Sequence, residues 1–137
     1  MSVVAIEDPH IEETVQAFET ATVDPDDFNH EAHIMVAWGY LQHHDQLEAI
    51  NRFTAAIKRL TQKLGVPGKY HETITWFYLL KIAERCDGNT ASDWNTFKAT
   101  NPDLFEWNPS IVQKYYSDDL LSSEIARRMF VLPDLTP

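Results

Sequence analysis

Six apolar residues recur at helical spacing in the middle of the chain: Leu47, Ile50, Phe53, Ile57, Leu60 and Leu64. Steps of three and four place them on one face of an α-helix, whereas strand side chains would alternate between two faces. A near-heptad stripe of this length is a core seam and demands other helices to cover it.

The flanking sequence supplies those helices. The first is predicted over about Pro9–Ala21, with Ile11, Val15 and Phe18 on one face. Pro25 disfavours helical geometry at Asp24 and breaks the run at VDPDDF. Asn29 reads as the N-cap of a second helix that extends to about His44, with Ile34, Trp38 and Leu41 sharing a face. The striped third helix runs from about Asp45 to Leu64. GVPGK, with two glycines and a proline, stops it and allows reversal. A fourth helix starts near Tyr70 and reaches about Arg85, offering Ile74, Phe77, Tyr78 and Ile82 to the core.

The last third is punctuated more closely. CDGNTAS reads as a loop, after which Ser92 caps a short helix around Trp94 and Phe97. Asn101-Pro102 and Asn108-Pro109 each read as an N-cap followed by proline at the first helical position. Ser117 opens one more helix, SDDLLSSEIARRMF, and FVLPDLTP is an extended tail. The fold expected is all-α: a single domain over residues 1–137, a helical bundle of about four longer helices. Short C-terminal helices pack across it through Trp94, Trp107, Tyr115 and Tyr116.

Composition narrows the function classes. A formal charge of −10, from 21 acidic and 11 basic residues, opposes a phosphate backbone and an anionic membrane surface, so neither nucleic acid nor membrane is an expected partner. No apolar run is long enough to cross a bilayer, and MSVVAIEDPH lacks the basic start of a signal peptide, so the expected location is cytoplasmic. A lone cysteine, Cys86, excludes an internal disulfide and a cysteine-based zinc knuckle; it reads as a small, at least half-buried residue. Homo-oligomerisation stays open.

One constellation is arranged for chemistry. His30 and His33 stand at the start of the second helix, and His71 and Glu72 at the start of the fourth. Alternate helices of an up-down bundle run the same way, which brings both clusters to one end. His30 and His33, three apart, share a helix face. With His71 and Glu72 they make up three imidazoles and a carboxylate, the ligand types of catalytic zinc and mononuclear non-haem iron. The partial positive charge at a helix start keeps such histidines neutral, the form that ligates metal or accepts a proton.

The leading expectation is therefore a small metal-binding protein, a metal-dependent enzyme acting on a small molecule. His30, His33 and His71 would hold iron or zinc. Glu72 would be a fourth ligand, an orienter of a histidine, or the catalytic base for a metal-bound water. Thr75 and Tyr78, at i+4 and i+7 from His71, and Tyr40, at i+7 from His33, would line the pocket with small or hydroxyl-bearing groups. Two alternatives stand beside it. The histidines can be structural, in a non-catalytic helical module that binds partners around Trp94 and Trp107, or they can perform acid–base chemistry without a metal. Neither HExxH nor a paired ExxH is present. His43 and His44 read as solvated helix-end residues, His10 carries no signal, and Arg127 with Arg128 reads as a surface ion-pairing pair or an anion clamp.

The segments F-x-H-x-A-H at Phe28–His33, YHETIT at Tyr70–Thr75, YYS at Tyr115–Ser117 and FVLPD at the end resemble those of a set of small bacterial all-helical proteins. The resemblance spans Phe28 to Asp134. It implies one all-helical domain and brings no activity, cofactor or catalytic residue with it.

Overall fold

The computed structural model of the protein describes residues 9–86, 93–107 and 109–136, and these are helical with no strand among them. Four longer helices form the body: α1 (Pro9–Glu19), α2 (His30–His43), α3 (Gln46–Lys63) and α4 (Glu72–Cys86). α2 packs against α1, α3 and α4, while α3 also meets α1 and α4. That central place explains why α2 is buried on every side from Ile34 through Tyr40, whereas α3 buries one face.

The stripe on α3 works as expected through Ile50, Phe53, Ile57 and Leu60, all buried. Its two ends do not. Leu47 is 65% exposed, and Leu64, which lines an open cavity, is 42% exposed. Phe18 of α1 sits at the centre, fully buried, with its ring 5.1 Å from Phe28 and 4.9 Å from Phe53.

The helix boundaries follow local chemistry. Asn29 and Asp45 accept the amides of Ala32 and Glu48, capping α2 and α3. α3 ends where Gly65 takes φ +75°, which suits a residue without Cβ, and the Val66 amide donates back to the Thr61 carbonyl. α1 ends in the same way at Ala21, φ +56°, where a side chain is less welcome. The Arg59 and Lys63 side chains of α3 donate to the carbonyls of Glu19 and Ala21, satisfying that exposed helix end.

The C-terminal third departs from expectation in several places. Ser92 and most of the CDGNTAS loop lie outside the described residues; the cap observed on α5 (Trp94–Thr100) is Asp93. Pro102 does follow Asn101 at the start of a helical turn, Pro102–Phe105, but the turn is 3₁₀ and Asn101 gives it no side-chain cap. Asn108 is not among the described residues, and the next turn, Ile111–Lys114, is opened by Ser110 rather than at Pro109. The single last helix expected from Ser117 is two: α6 (Asp118–Leu121) and α7 (Glu124–Arg128). Ser122 and Ser123 turn their hydroxyls onto the carbonyls of Asp118 and Leu120, and Ser123 then caps a new helix at Ala126. Trp94 is core, packed on Trp38, Phe97 and Phe105, not surface.

The tail is extended but not loose. Tyr116, 1% exposed, donates its hydroxyl to the Val131 carbonyl, the Leu135 amide donates to the Tyr115 carbonyl, and Asp134 accepts from both the amide and hydroxyl of Ser117. Among the described residues, no helix is long and apolar enough to cross a membrane.

Candidate functional site

A cavity of about 640 Å³ opens between α2, α3 and α4. Its walls combine residues from the start of α2 (His30, His33, Ala37), the middle of α3 and beyond (Phe53, Ile57, Leu60) and the start of α4 (Ile74, Thr75, Tyr78). The beginnings of α2 and α4 thus share an end with the finish of α3, as alternation requires. The cluster of His30, His33 and His71 does converge on one space, together with Thr75 and Tyr78.

Glu72 and Tyr40 lie outside that space. Glu72 accepts the Tyr70 hydroxyl, with the Lys58 ammonium 4.0 Å away, and does not line the cavity. Tyr40 belongs to the core: its ring lies 6.3 Å from Phe18 and 6.2 Å from Phe53. Burial, reinforced by the nearby Glu19 carboxylate, pushes its phenol well above the usual range.

The three histidines differ in what their ring nitrogens already do. His71 is used on both sides: Nδ1 accepts the Ile74 amide at 3.2 Å, which leaves the proton on Nε2 for the Leu121 carbonyl at 2.8 Å. It caps α4 and ties α6 to it. His30 Nε2 is 2.9 Å from the Leu104 carbonyl, and its ring packs on Trp107 at 4.9 Å and edge-on to Tyr78 at 5.2 Å. His33 Nδ1 donates to the Asn29 carbonyl at 2.8 Å, and its ring lies 4.2 Å from Phe28. That assigns the His33 tautomer, so Nε2 carries a lone pair, and it has no partner among the described residues. Among those residues, no group of three or more His, Cys, Asp or Glu side chains is placed to hold a metal ion.

Burial lowers the pKa of His33 below its ordinary 6.5; the Asn29 hydrogen bond opposes this, and the neighbouring His30 adds to it. Between the folded value and 6.5 the unfolded chain binds a proton that the folded chain does not. Stability therefore falls as pH drops below about 6.5, by at most about 1.4 kcal/mol per unit for this one proton, and the loss levels off below the folded pKa. His33→Asn keeps a donor for the Asn29 carbonyl and cannot titrate. Urea midpoints for both proteins from pH 7.5 to 4.5 are expected to show the acid-side loss reduced in the variant.

Tyr78 is 8% exposed, and its hydroxyl finds no partner at hydrogen-bonding geometry among the described residues. Burial raises its pKa, while the Ser110 hydroxyl lies close enough to temper the rise. Lys69, exposed, and Trp107, 66% exposed, complete the rim. Neither is legible as a site residue from helix spacing: Lys69 sits in the turn before α4, and Trp107 arrives from the C-terminal third.

The remaining candidates are engaged elsewhere. Arg127 donates to the Gly68 carbonyl, and Arg128 lies 3.8 Å from Glu124, so the two do not form an anion clamp. Cys86 is half-buried, and burial raises its thiol pKa, which leaves it a poor nucleophile. No family model, curated protein or solved structure matches this chain.

Proposed function

We propose that the protein binds a small, largely apolar molecule in the cavity between α2, α3 and α4, with His33 as the proton acceptor and without a metal. The observation that carries this reading is the state of His33: its Nδ1–H is committed to Asn29, and its Nε2 lone pair is left on the cavity wall. A neutral imidazole with one nitrogen anchored and the other open is the arrangement of a general base or a fixed hydrogen-bond acceptor. The volume suits a small ligand, and Ile34, Ala37, Phe53, Ile57 and Leu60 give it an apolar bed.

The metal reading has less support. His71 spends both nitrogens on backbone groups, which leaves His30 and His33 as the only imidazoles of the three with a nitrogen to spare. Two donors fall short of the three that a catalytic zinc or iron site takes from protein.

The test uses N-phenyl-1-naphthylamine, a neutral fluorophore, on protein purified without a polyhistidine tag. Saturable one-to-one binding is expected, weakened at least tenfold by Ala37→Leu, which fills the cavity from a buried wall position. Circular dichroism checks that the variant folds. Absence of saturable binding sinks the reading. Stoichiometric iron or zinc by elemental analysis, lost in His33→Asn, sinks its metal-free part.

A further inference from the structure

We propose that the ligand of this cavity is a neutral phenol-type compound, an aromatic ring whose hydroxyl group donates to His33 Nε2. The inference rests on the reading of the cavity as a small-molecule site and adds the chemical class of the occupant.

The first observation is what hydrogen-bonding capacity the wall has left. Its three imidazoles have each committed an N–H to a backbone carbonyl: His33 Nδ1–H to Asn29, His30 Nε2–H to Leu104 and His71 Nε2–H to Leu121. The hydroxyls have likewise spent their protons. Thr75 donates to the His71 carbonyl at 2.8 Å, Thr61 to the Lys58 carbonyl at 3.1 Å, and Tyr70 to the Glu72 carboxylate. The Tyr78 hydroxyl has no accessible surface and lies toward Ser110, so it offers the cavity nothing. The other side-chain donors around this space belong to Asn29, Lys69 and Trp107, which are exposed and served by water.

The second observation is an open lone pair. With the proton fixed on Nδ1, His33 Nε2 is an acceptor. Among the described residues, the polar side-chain atoms that are both sealed from solvent and unpartnered are on Tyr40, Trp76 and Tyr78. His33 Nε2, also unpartnered, is therefore not sealed, and it opens on the space that its residue lines. Burial lowers the pKa of the ring, so the lone pair is present at neutral pH. A wall that has spent its protons and kept a lone pair calls for a ligand that brings a donor.

Charge and shape narrow the donor. No Asp or Glu lines the cavity, so an ammonium would enter without a carboxylate to pair with. A carboxylate would set its own lone pairs against that of His33. A neutral hydroxyl meets neither obstacle. The ring is assigned from the walls: Phe28, Phe53, Tyr70 and Trp107 present aromatic surface, and Ile57 and Leu60 complete the apolar bed. An aliphatic alcohol would satisfy the lone pair and leave those rings without a partner.

2-Naphthol, 2-methoxynaphthalene, 2-naphthoate and 2-naphthylmethylammonium share one ring system and separate the head groups. Each is titrated by calorimetry at pH 7.5 into untagged protein, and displacement of N-phenyl-1-naphthylamine shows that it occupies the cavity. An apolar bed alone prefers the methyl ether, the more apolar of the two neutral compounds. The proposal reverses that order: 2-naphthol is expected to bind about tenfold more tightly than the ether or either ion, a ratio within reach of one hydrogen bond. His33→Asn, checked for folding by circular dichroism, is expected to lose that preference while binding the ether within twofold of wild type. The wild-type ranking decides the class even where the variant does not fold. Equal or tighter binding of the ether or of either ion, or an unchanged naphthol-to-ether ratio in folded His33→Asn, overturns the phenol assignment, while displacement of the probe by these compounds leaves the cavity reading intact. If neither the probe nor any naphthyl compound binds, both readings fall.

Discussion

Phe18→Ala is expected to destabilise the protein by about 4 kcal/mol, the cost of removing a fully buried phenylalanine without collapse of the space around it. Phe18 is inaccessible to solvent, and its ring touches two others, Phe28 at 5.1 Å and Phe53 at 4.9 Å. Those two partners come from different places, the segment before α2 and the middle of α3. Neither can move into the void without leaving its own helix or cap. For a chain of this size the loss corresponds to a fall in thermal midpoint of roughly 12 °C. It should also reach the site, because Phe28 and Phe53 are themselves cavity walls. Probe binding is therefore expected to weaken even at temperatures where the variant is folded. A midpoint within 3 °C of wild type would show that Phe18 is not the centre of the core.

The same residue shows what patterning makes legible. Phe18 falls on the apolar face of α1 by spacing alone, and the stripe on α3 names its partner Phe53. The four longer helices follow from this kind of periodicity together with Asn29, Asp45, Pro25 and the GVPGK turn, and the structure displaces their ends by only a residue or two. The C-terminal third resisted for a physical reason. Its elements are four to seven residues long, too short to show a helical period, and single side-chain caps set where they begin, Asp93 on α5, Ser117 on α6 and Ser123 on α7.

The site divides in the same way. Alternation makes it readable that both histidine clusters fall at one end, since helices that run parallel share it. Whether the clusters meet there, and what each ring does, was not readable. His30 and His71 are tied to the carbonyls of Leu104 and Leu121, residues 74 and 50 positions further along the chain, in segments without a periodic signal. His33 is tied to Asn29, four residues back, a contact that helix geometry does allow one to foresee. The roles of Glu72 and Tyr40 turn on side-chain direction. Glu72, one residue past His71, points about 100° away from it and finds Tyr70 and Lys58 instead of the cavity. Tyr40 continues the face of α2 that meets Phe18 and Phe53.

Thr73→Val is expected to cost about 2 kcal/mol and to loosen the C-terminal third ahead of the rest. Thr73 is fully buried, and its hydroxyl serves two backbone groups at once: it donates to the Met129 carbonyl at 2.9 Å and accepts the Val131 amide at 3.2 Å. Valine has the same shape and neither function. Two backbone groups would lose their partner, each worth about 1–3 kcal/mol if fully desolvated. Both bonds are only part-buried and Met129 is exposed, so water recovers some of the loss and the lower half of that range applies. Thr73→Ser keeps the hydroxyl and gives up one methyl group, and is expected to cost about half as much. Amide exchange separates this account from a general weakening of the core. In Thr73→Val, protection is expected to fall first at Val131, Leu135 and Tyr116, which share the clasp, while the amides of α2 and α3 keep theirs. A uniform fall across all helices would mean that the clasp and the bundle unfold as one unit. The distinction bears on the cavity, because the clasp and the His71–Leu121 bond together anchor the start of α4, from which His71, Thr75 and Tyr78 are presented. Weakening it is expected to reduce ligand binding without altering any residue that touches the ligand.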